Sequence, residues 1–441
     1  MNTKNKRVIS WFYKSHSGEL HVGLPILKLI KDHNPEIEIN FIFPDKISFE
    51  NIGNIYNKII LELGNVVTGT KEFYFFLMKN LNNTTMIMTC DTGHTFFSSI
   101  ASNVIKKNKV LFHMHAYALH GTNNLEDFLE EFLKDTLKKR YLNDGKGSPY
   151  IILNSNHEVD YYYEVGCFNK EHMILAGGLG YTNWWLTYLK DNSSSSSEYL
   201  RIKKLIKNGK YNNVYFVPIR QEHKLCLTKE NYDYLIESIF WLAEKNSDSV
   251  FLLKPHPRQT DISDLSERCN SAVNNNIILI NESTLLLSDV SDLTISFWSS
   301  AIQDSLAVGT LAVEFFRHHI EHPQLVKTDS GDLISLYVAY GFCPFFTKKE
   351  ELHNFLTTKH KWDKLFKNSI KNFKPFFPTD HKIQTQFLLR VDDLFDEADC
   401  VSSKSNASFF SILFQILRIN LIAVFDIFGI KNKVIKTLKK S

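Results

Sequence analysis

Ten short apolar runs recur along this chain, most of them followed by a stretch with helical spacing, and this alternation restricts the fold more than any other feature. In the first half the runs are Arg7–Tyr13, Glu38–Phe43, Thr84–Cys90, Lys109–Ala116 and Pro149–Ser155. In the second they are Asn213–Ile219, Ser249–Pro255, Ile277–Asn281, Asp292–Trp298 and Thr310–Phe316. A strand that is apolar at nearly every position is covered on both faces, which is the condition of a parallel sheet with helices on either side. His21–His33 has the matching helical period, with Val22, Ile26, Leu29 and Ile30 on one face. The serine run within Leu189–Tyr199 interrupts the alternation and reads as a linker. The pattern predicts an α/β protein of two doubly wound domains, 1–190 and 201–400, joined through 191–200 and followed by a distinct tail, 401–441.

The bulk numbers exclude several classes. A chain of 441 residues that is 44% hydrophobic can bury a large core. Its net charge of +3 is too small for a nucleic-acid coat, so no nucleic-acid partner is expected and any cationic chemistry must be local. The six cysteines include no CxxC pair, which argues against a zinc or redox motif and fits a reducing compartment. The N-terminus has no long apolar core of a secretory signal.

The tail combines an apolar stretch, Ser408–Ile430, carrying one polar stripe (Ser411, Gln415, Arg418, Asp426), with a lysine-rich end. A bilayer-spanning helix would bury Arg418 and Asp426, at about 2.5–3.5 kcal/mol each. An amphipathic helix lying in the interface avoids that cost and sets the lysines against anionic headgroups. The expected partner of 408–441 is an anionic membrane surface, and the expected location is cytoplasmic, peripheral on the inner face of the cell membrane. The alternative is a helix that packs on the core.

Three strand ends carry candidate chemistry. Lys254-Pro255-His256-Pro257-Arg258 ends the run Ser249–Pro255. Two prolines restrict the backbone around His256, and Lys254 and Arg258 add charge-assisted donors, a combination suited to a phosphate. Ser299 and Ser300 open a helix after Trp298, where free N–H groups and hydroxyls also suit an anion; the plain reading is a serine N-cap. Glu314 ends the next run and can take ribose hydroxyls or bond its neighbours. In the first half, Lys14-Ser15-His16-Ser17-Gly18-Glu19 leads from the first strand into the first helix. The helix dipole favours an ionised Glu19, which could take a proton from an attacking hydroxyl or simply cap the helix. Lys14, Ser17, Gly18, Asp91, His113 and His115 are candidates for the acceptor side, with His16, His94 and His120 nearby. No HExxH-type spacing joins these histidines, and neither a metal nor another cofactor is expected.

These segments resemble the GT-B glycosyltransferases, above all the 3-deoxy-manno-octulosonic acid (Kdo) transferases, the sialyl and capsule transferases with an His-Pro motif, and the CDP-glycerol glycerophosphotransferases. Ser17–Ile39 is similar to the Kdo-transferase segment bearing the catalytic base, which implies that role for Glu19. Lys254–Gln259 resembles the motif that binds the donor phosphate, implying that role for His256 and Pro257. Ser296–Phe316 resembles the late motif whose serines bind phosphate, implying it for Ser299 and Ser300, with Glu314 in the place of the ribose carboxylate. The resemblance runs from Arg7 to Phe316. Two departures stand out: the apolar segment lies at the C-terminal end, and Phe297–Trp298 replaces a glycine-rich stretch. The implied activity is inverting, metal-independent transfer from a nucleotide-sugar, CMP-Kdo foremost, to a glycan or glycolipid. Alternatives are a glycerophosphotransferase, a UDP-GlcNAc 2-epimerase-like enzyme, and a non-catalytic glycan-binding relative.

Overall fold

The computed structural model describes residues 7–13, 17–69, 85–90, 109–114, 150–164, 170–193, 197–222, 227–256, 259, 261–319, 322 and 325–402. Lys14, Asp91, His115, Pro257, Arg258 and the tail from 403 onward lie outside them, as do His16, His94 and His120. Among the described residues no helix is long and apolar enough to cross a membrane.

Every run read as a strand forms one. β1 (Val8–Phe12), β2 (Glu38–Phe43), β4 (Met86–Cys90), β5 (Lys109–His113) and β6 (Tyr150–Leu153) join β3 (Asn65–Thr68) and β7 (Met173–Leu175) in a parallel sheet of order β3-β2-β1-β4-β5-β6-β7. A second parallel sheet has the order β10-β9-β8-β11-β12-β15. Its members are β8 (Asn213–Pro218), β9 (Ser249–Lys254), β10 (Ile277–Leu279), β11 (Leu293–Ser296), β12 (Leu311–Phe315) and β15 (Phe345–Phe346). A short hairpin, β13 (Leu325–Lys327) with β14 (Leu333–Ser335), stands apart. Both sheets reverse winding beside their first strand, at β1/β4 and at β8/β11, and ligands of doubly wound sheets bind at the carboxyl ends next to such reversals.

The two domains share apolar contacts. Leu285, Leu286, Ile302 and Leu306 of the second half fall in one buried cluster with Leu20, Leu24, Ile55 and Tyr181 of the first. Helix His381–Ser402, grouped by sequence with the second domain, instead returns to the first. Its Phe387, Val391, Leu394 and Phe395 enter the same cluster, and Asp392 meets Arg7 Nη1 at 3.0 Å and His33 Nε2 at 2.8 Å. Its apolar face finds its cover there, which the local sequence does not reveal. At Gly177, which leads toward the connection, φ is +76 and an added Cβ would lie 2.4 Å from the carbonyl oxygen of Pro378, so the close approach of the returning chain requires glycine.

Candidate functional site

Between the domains lies a cleft of about 440 Å³, within the range of small-ligand sites. The second domain contributes Pro218, which ends β8, with Ile219; Lys254, which ends β9, with Pro255 and His256; Asn281–Thr284 after β10; and Ser299–Ala301 after β11. These are the carboxyl ends of four strands, brought together by the parallel sheet. The first domain contributes Tyr13 after β1, and Gly18, Leu20 and His21 from α1 (Ser17–His33). Ser48, Asn51–Gly53, Ile55 and Tyr56 complete that wall. Of the residues singled out in the sequence, Gly18, Lys254, His256, Ser299 and Ser300 therefore meet at one cleft.

The serine turn is built to hold its backbone still. Ser299 N–H donates to Ser296 Oγ at 3.0 Å, and Ser299 Oγ accepts from Ala301 N–H at 3.3 Å. Ser300 occupies the N-cap of helix Ala301–Val308 in αR conformation and makes no side-chain cap bond, so it is not an ordinary serine cap. Before it, Trp298 has φ +52, a conformation that is an outlier for a bulky residue. Arg220 donates from Nη1 to the Trp298 carbonyl at 2.6 Å and lies over its indole at 4.3 Å. The position left by the missing glycines is thus occupied by a clamped tryptophan.

Lys254 is half-buried, and its amine is pushed down to about 8, chiefly by burial, against the opposing influence of Glu282, Glu198 and Asp304. Its Nζ reaches Asn281 Oδ1 at 3.4 Å. The native state therefore holds fewer protons than the unfolded chain between about pH 8 and the ordinary lysine value, and this group's contribution to stability rises with pH across that window. An anion held by Lys254, as its sequence context predicts, would have the opposite sign, because it would use the charged amine. Affinity for such an anion, inorganic pyrophosphate as the probe, is then expected to begin falling above about pH 8, earlier than an ordinary lysine would dictate, approaching tenfold per unit; calorimetric titrations from pH 7 to 9.5 on the parent and Lys254→Arg check this, the arginine variant staying flat.

Three expected site residues sit differently from the sequence reading. Glu19 is fully buried in the first turn of α1 and does not line the cleft, although Gly18 and Leu20 beside it do. It lies close enough to Tyr13 to help burial raise that phenol's pKa. His113 is not a cleft group but a core residue: its Nε2 lies 2.9 Å from Trp11 Nε1, a donor, and its Nδ1 2.8 Å from the Met114 carbonyl. Those partners fix the neutral tautomer with its proton on Nδ1: Nε2 accepts from Trp11 and Nδ1–H donates to the Met114 carbonyl, so both ring nitrogens are engaged inside the core. Glu314 is fully buried with both oxygens engaged, Oε1 by His318 Nε2 at 2.9 Å and Oε2 by Ser335 Oγ at 2.7 Å. It is not at the cleft wall, because those interior donors already satisfy the carboxylate. Ser17 begins α1, one residue before Gly18.

The structure adds residues that the sequence reading passed over. His21 Nδ1 lies 3.5 Å from Asp304 Oδ1, across the boundary between domains. Asp304 also accepts from Thr284 Oγ1 and has the Tyr181 hydroxyl at 3.3 Å. An acidic residue in the first turn of the helix that follows Ser299–Ser300 was the available signal for Asp304. For Asn281–Thr284 it was their place after a strand, the same argument that singles out Lys254–His256.

No protein-family model matches the chain, and neither does any curated protein sequence. Solved structures do. UDP-GlcNAc 2-epimerase from Neisseria meningitidis, bound to UDP-GlcNAc, aligns with a TM-score of 0.55 at 14% identity over 88% of this chain and 100% of its own. The wall teichoic acid polymerase TagF aligns at 0.56 and 13% identity, covering 90% of this chain and 91% of that one. Anabaena Alr3699/HepE, in complex with UDP and glucose, aligns at 0.50 and 12%, covering 88% and 100%. With two parallel-sheet domains closing on one cleft, and a likeness that extends over both, the fold of this chain is GT-B.

Proposed function

We propose that this protein transfers a sugar from a nucleotide-activated donor, a CMP-sugar of the Kdo type foremost, to a hydroxyl of a surface glycan or glycolipid, with inversion and without a metal. The observation that carries the reading is the convergence of Lys254, His256, Ser299 and Ser300 on a cleft whose other wall is the start of α1. The acceptor oxygen attacks the anomeric carbon as the bond from that carbon to the phosphate oxygen breaks. The proton leaves the acceptor for a base on the first domain. The electron pair departs on the nucleotide phosphate, where His256, Lys254, the two serines and the N-terminus of helix Ala301–Val308 stabilise the growing charge. Pro257 and Arg258 extend the same donor segment, and Lys14, Asp91 and His115 remain candidates for the acceptor side. The similar solved structures hold UDP-GlcNAc, UDP with glucose, or CDPG, which supports a nucleotide handle. An acceptor at the inner face of the cell membrane, with 408–441 as anchor, completes the reading.

Glu19 is the base that the sequence resemblance implies. A second reading is favoured by one observation: His21, two residues on, lines the cleft and is backed by the carboxylate of Asp304. A carboxylate that orients a histidine and supports its protonated form is a recurrent way to build a base.

Calorimetry with CMP, CDP and UDP, followed by assays of nucleotide release from the matching sugars, tests the proposal. His256→Ala is expected to cost about 10²–10³-fold in turnover, in line with removal of one preorganised donor, and to weaken nucleotide binding while the melting temperature holds. Parent-like affinity and turnover would remove His256 from the site. Conversion of a UDP-sugar to its epimer without nucleotide release would replace transfer by epimerisation.

A further inference from the structure

Helix Trp362–Phe373 presents two faces of opposite character. Trp362, Ser369 and Phe373 are buried, with Leu365, Phe366 and Ile370 half-buried beside them, and this side packs on helix Ala301–Val308 and β12. Lys364, Lys367, Lys371 and Lys374 recur at spacings of three, four and three, which places them on the opposite face, and all four are exposed. His360, one turn earlier, continues the row and is also exposed. The four lysines span roughly 15 Å along the axis.

A charged row on a helix is commonly a solvated face, and other basic residues of this protein show what that looks like here. Lys28–Asp32, Lys46–Glu50, Lys229–Asp233 and Lys348–Glu351 pair one turn apart, and Arg390 pairs with Asp393 and Glu397. The row on Trp362–Phe373 has no such balance. Between Lys359 and Lys374 there are six lysines and one acid, Asp363, a local excess of five charges in a chain whose whole net charge is +3. Lys359 is taken up by Asn213 Oδ1 and faces Trp362, so it stands outside the row. Stabilisation of the helix dipole accounts for basic residues in the last turn only, and Lys364 and Lys367 precede it.

We propose that this lysine face docks on an anionic bilayer surface, a contact separate from the C-terminal tail and independent of the transfer reaction. The row consists of lysines with no arginine and no exposed aromatic residue among them. Such compact, hydrated charges suit diffuse attraction to headgroups rather than bidentate phosphate capture or base stacking. The rigid apolar packing behind them holds the four ammonium groups to one side, so one plane can engage them together.

The test uses the full chain and co-sedimentation with phosphatidylcholine vesicles, with and without phosphatidylglycerol, at low and at moderate salt. With about fivefold per lysine near an anionic surface, the quadruple variant K364Q/K367Q/K371Q/K374Q is expected to lose roughly 10²-fold or more in partitioning onto the anionic vesicles. The quadruple Lys→Arg variant should retain it, and added salt should shrink the difference between the parent and the glutamine variant. Nucleotide affinity serves as the internal control, since the row lies outside the cleft: it should be the same in all three proteins, whether or not the donor assignment is right. Unchanged partitioning of the glutamine variant overturns the proposal. So does an equal loss on vesicles without phosphatidylglycerol. Lysine-dependent binding of double-stranded DNA, at matched phosphate, as tight as that of the vesicles would assign the face to a nucleic acid instead and overturn it as well.

Discussion

On the reading that makes Glu19 the base, Glu19→Gln is expected to lower the single-turnover rate by about 10²–10⁴-fold while donor affinity stays near the parent value. Glutamine keeps the size of the side chain and can still bond its surroundings, but it cannot accept a proton from an attacking hydroxyl. The effect should appear in the transition state and be nearly absent from ground-state binding. The position makes the experiment discriminating. Glu19 is fully buried, between two residues that line the cleft, so a structural role would appear as a lower melting temperature with turnover intact. His21→Gln is the paired measurement. If the base is His21, its loss carries the rate effect and Asp304→Asn reproduces part of it, whereas Glu19→Gln does not.

Much of the architecture was legible because it depends on local pattern. Ten apolar runs predict ten strands, and parallel pairing follows from their being apolar on both faces. The second domain's wall of the cleft was legible for the same reason: in a parallel sheet the residues at the carboxyl end of each strand emerge on one edge, so Lys254, His256, Ser299 and Ser300 could be grouped before any contact was known. The strands that escaped notice, β3, β7, β13, β14 and β15, are four residues or fewer, too short for a period to emerge. What fails to show in a linear pattern is a partner supplied from far away. His113 reads as a cleft histidine after a strand until Trp11, 102 residues earlier, engages its ring. The helix His381–Ser402 reads as part of the second domain until Arg7 and His33 hold it against the first. Asp304 looks like a surface residue of an amphipathic helix until Thr284, Tyr181 and His21 surround it.

Glu314→Ala is expected to destabilise the second domain by about 1–3 kcal/mol for each buried polar partner it leaves unsatisfied. His318 and Glu314 are almost completely buried, and Ser335 donates to the second carboxylate oxygen, so the truncation strands two polar partners in the interior. The damage should spread toward the cleft along a definite route. His318 stands edge-on to Trp298 with ring centroids 5.0 Å apart, and Trp298 is the positive-φ residue whose carbonyl Arg220 holds just before Ser299. A loosened His318 therefore frees the tryptophan to relax, and the serine turn loses its fixed geometry. A ribose-binding carboxylate would behave differently. Its loss would weaken CMP or UDP binding but leave inorganic pyrophosphate, which has no ribose, bound as before, with little change in melting. The route through Trp298 instead predicts that the melting temperature falls and that affinity for nucleotide and for pyrophosphate declines by the same factor. Glu314→Gln, which can still bond both neighbours, should recover most of the stability. Selective loss of nucleotide over pyrophosphate, with an unchanged melting curve, would return Glu314 to the donor site and require the carboxylate to leave His318 and Ser335 when nucleotide binds.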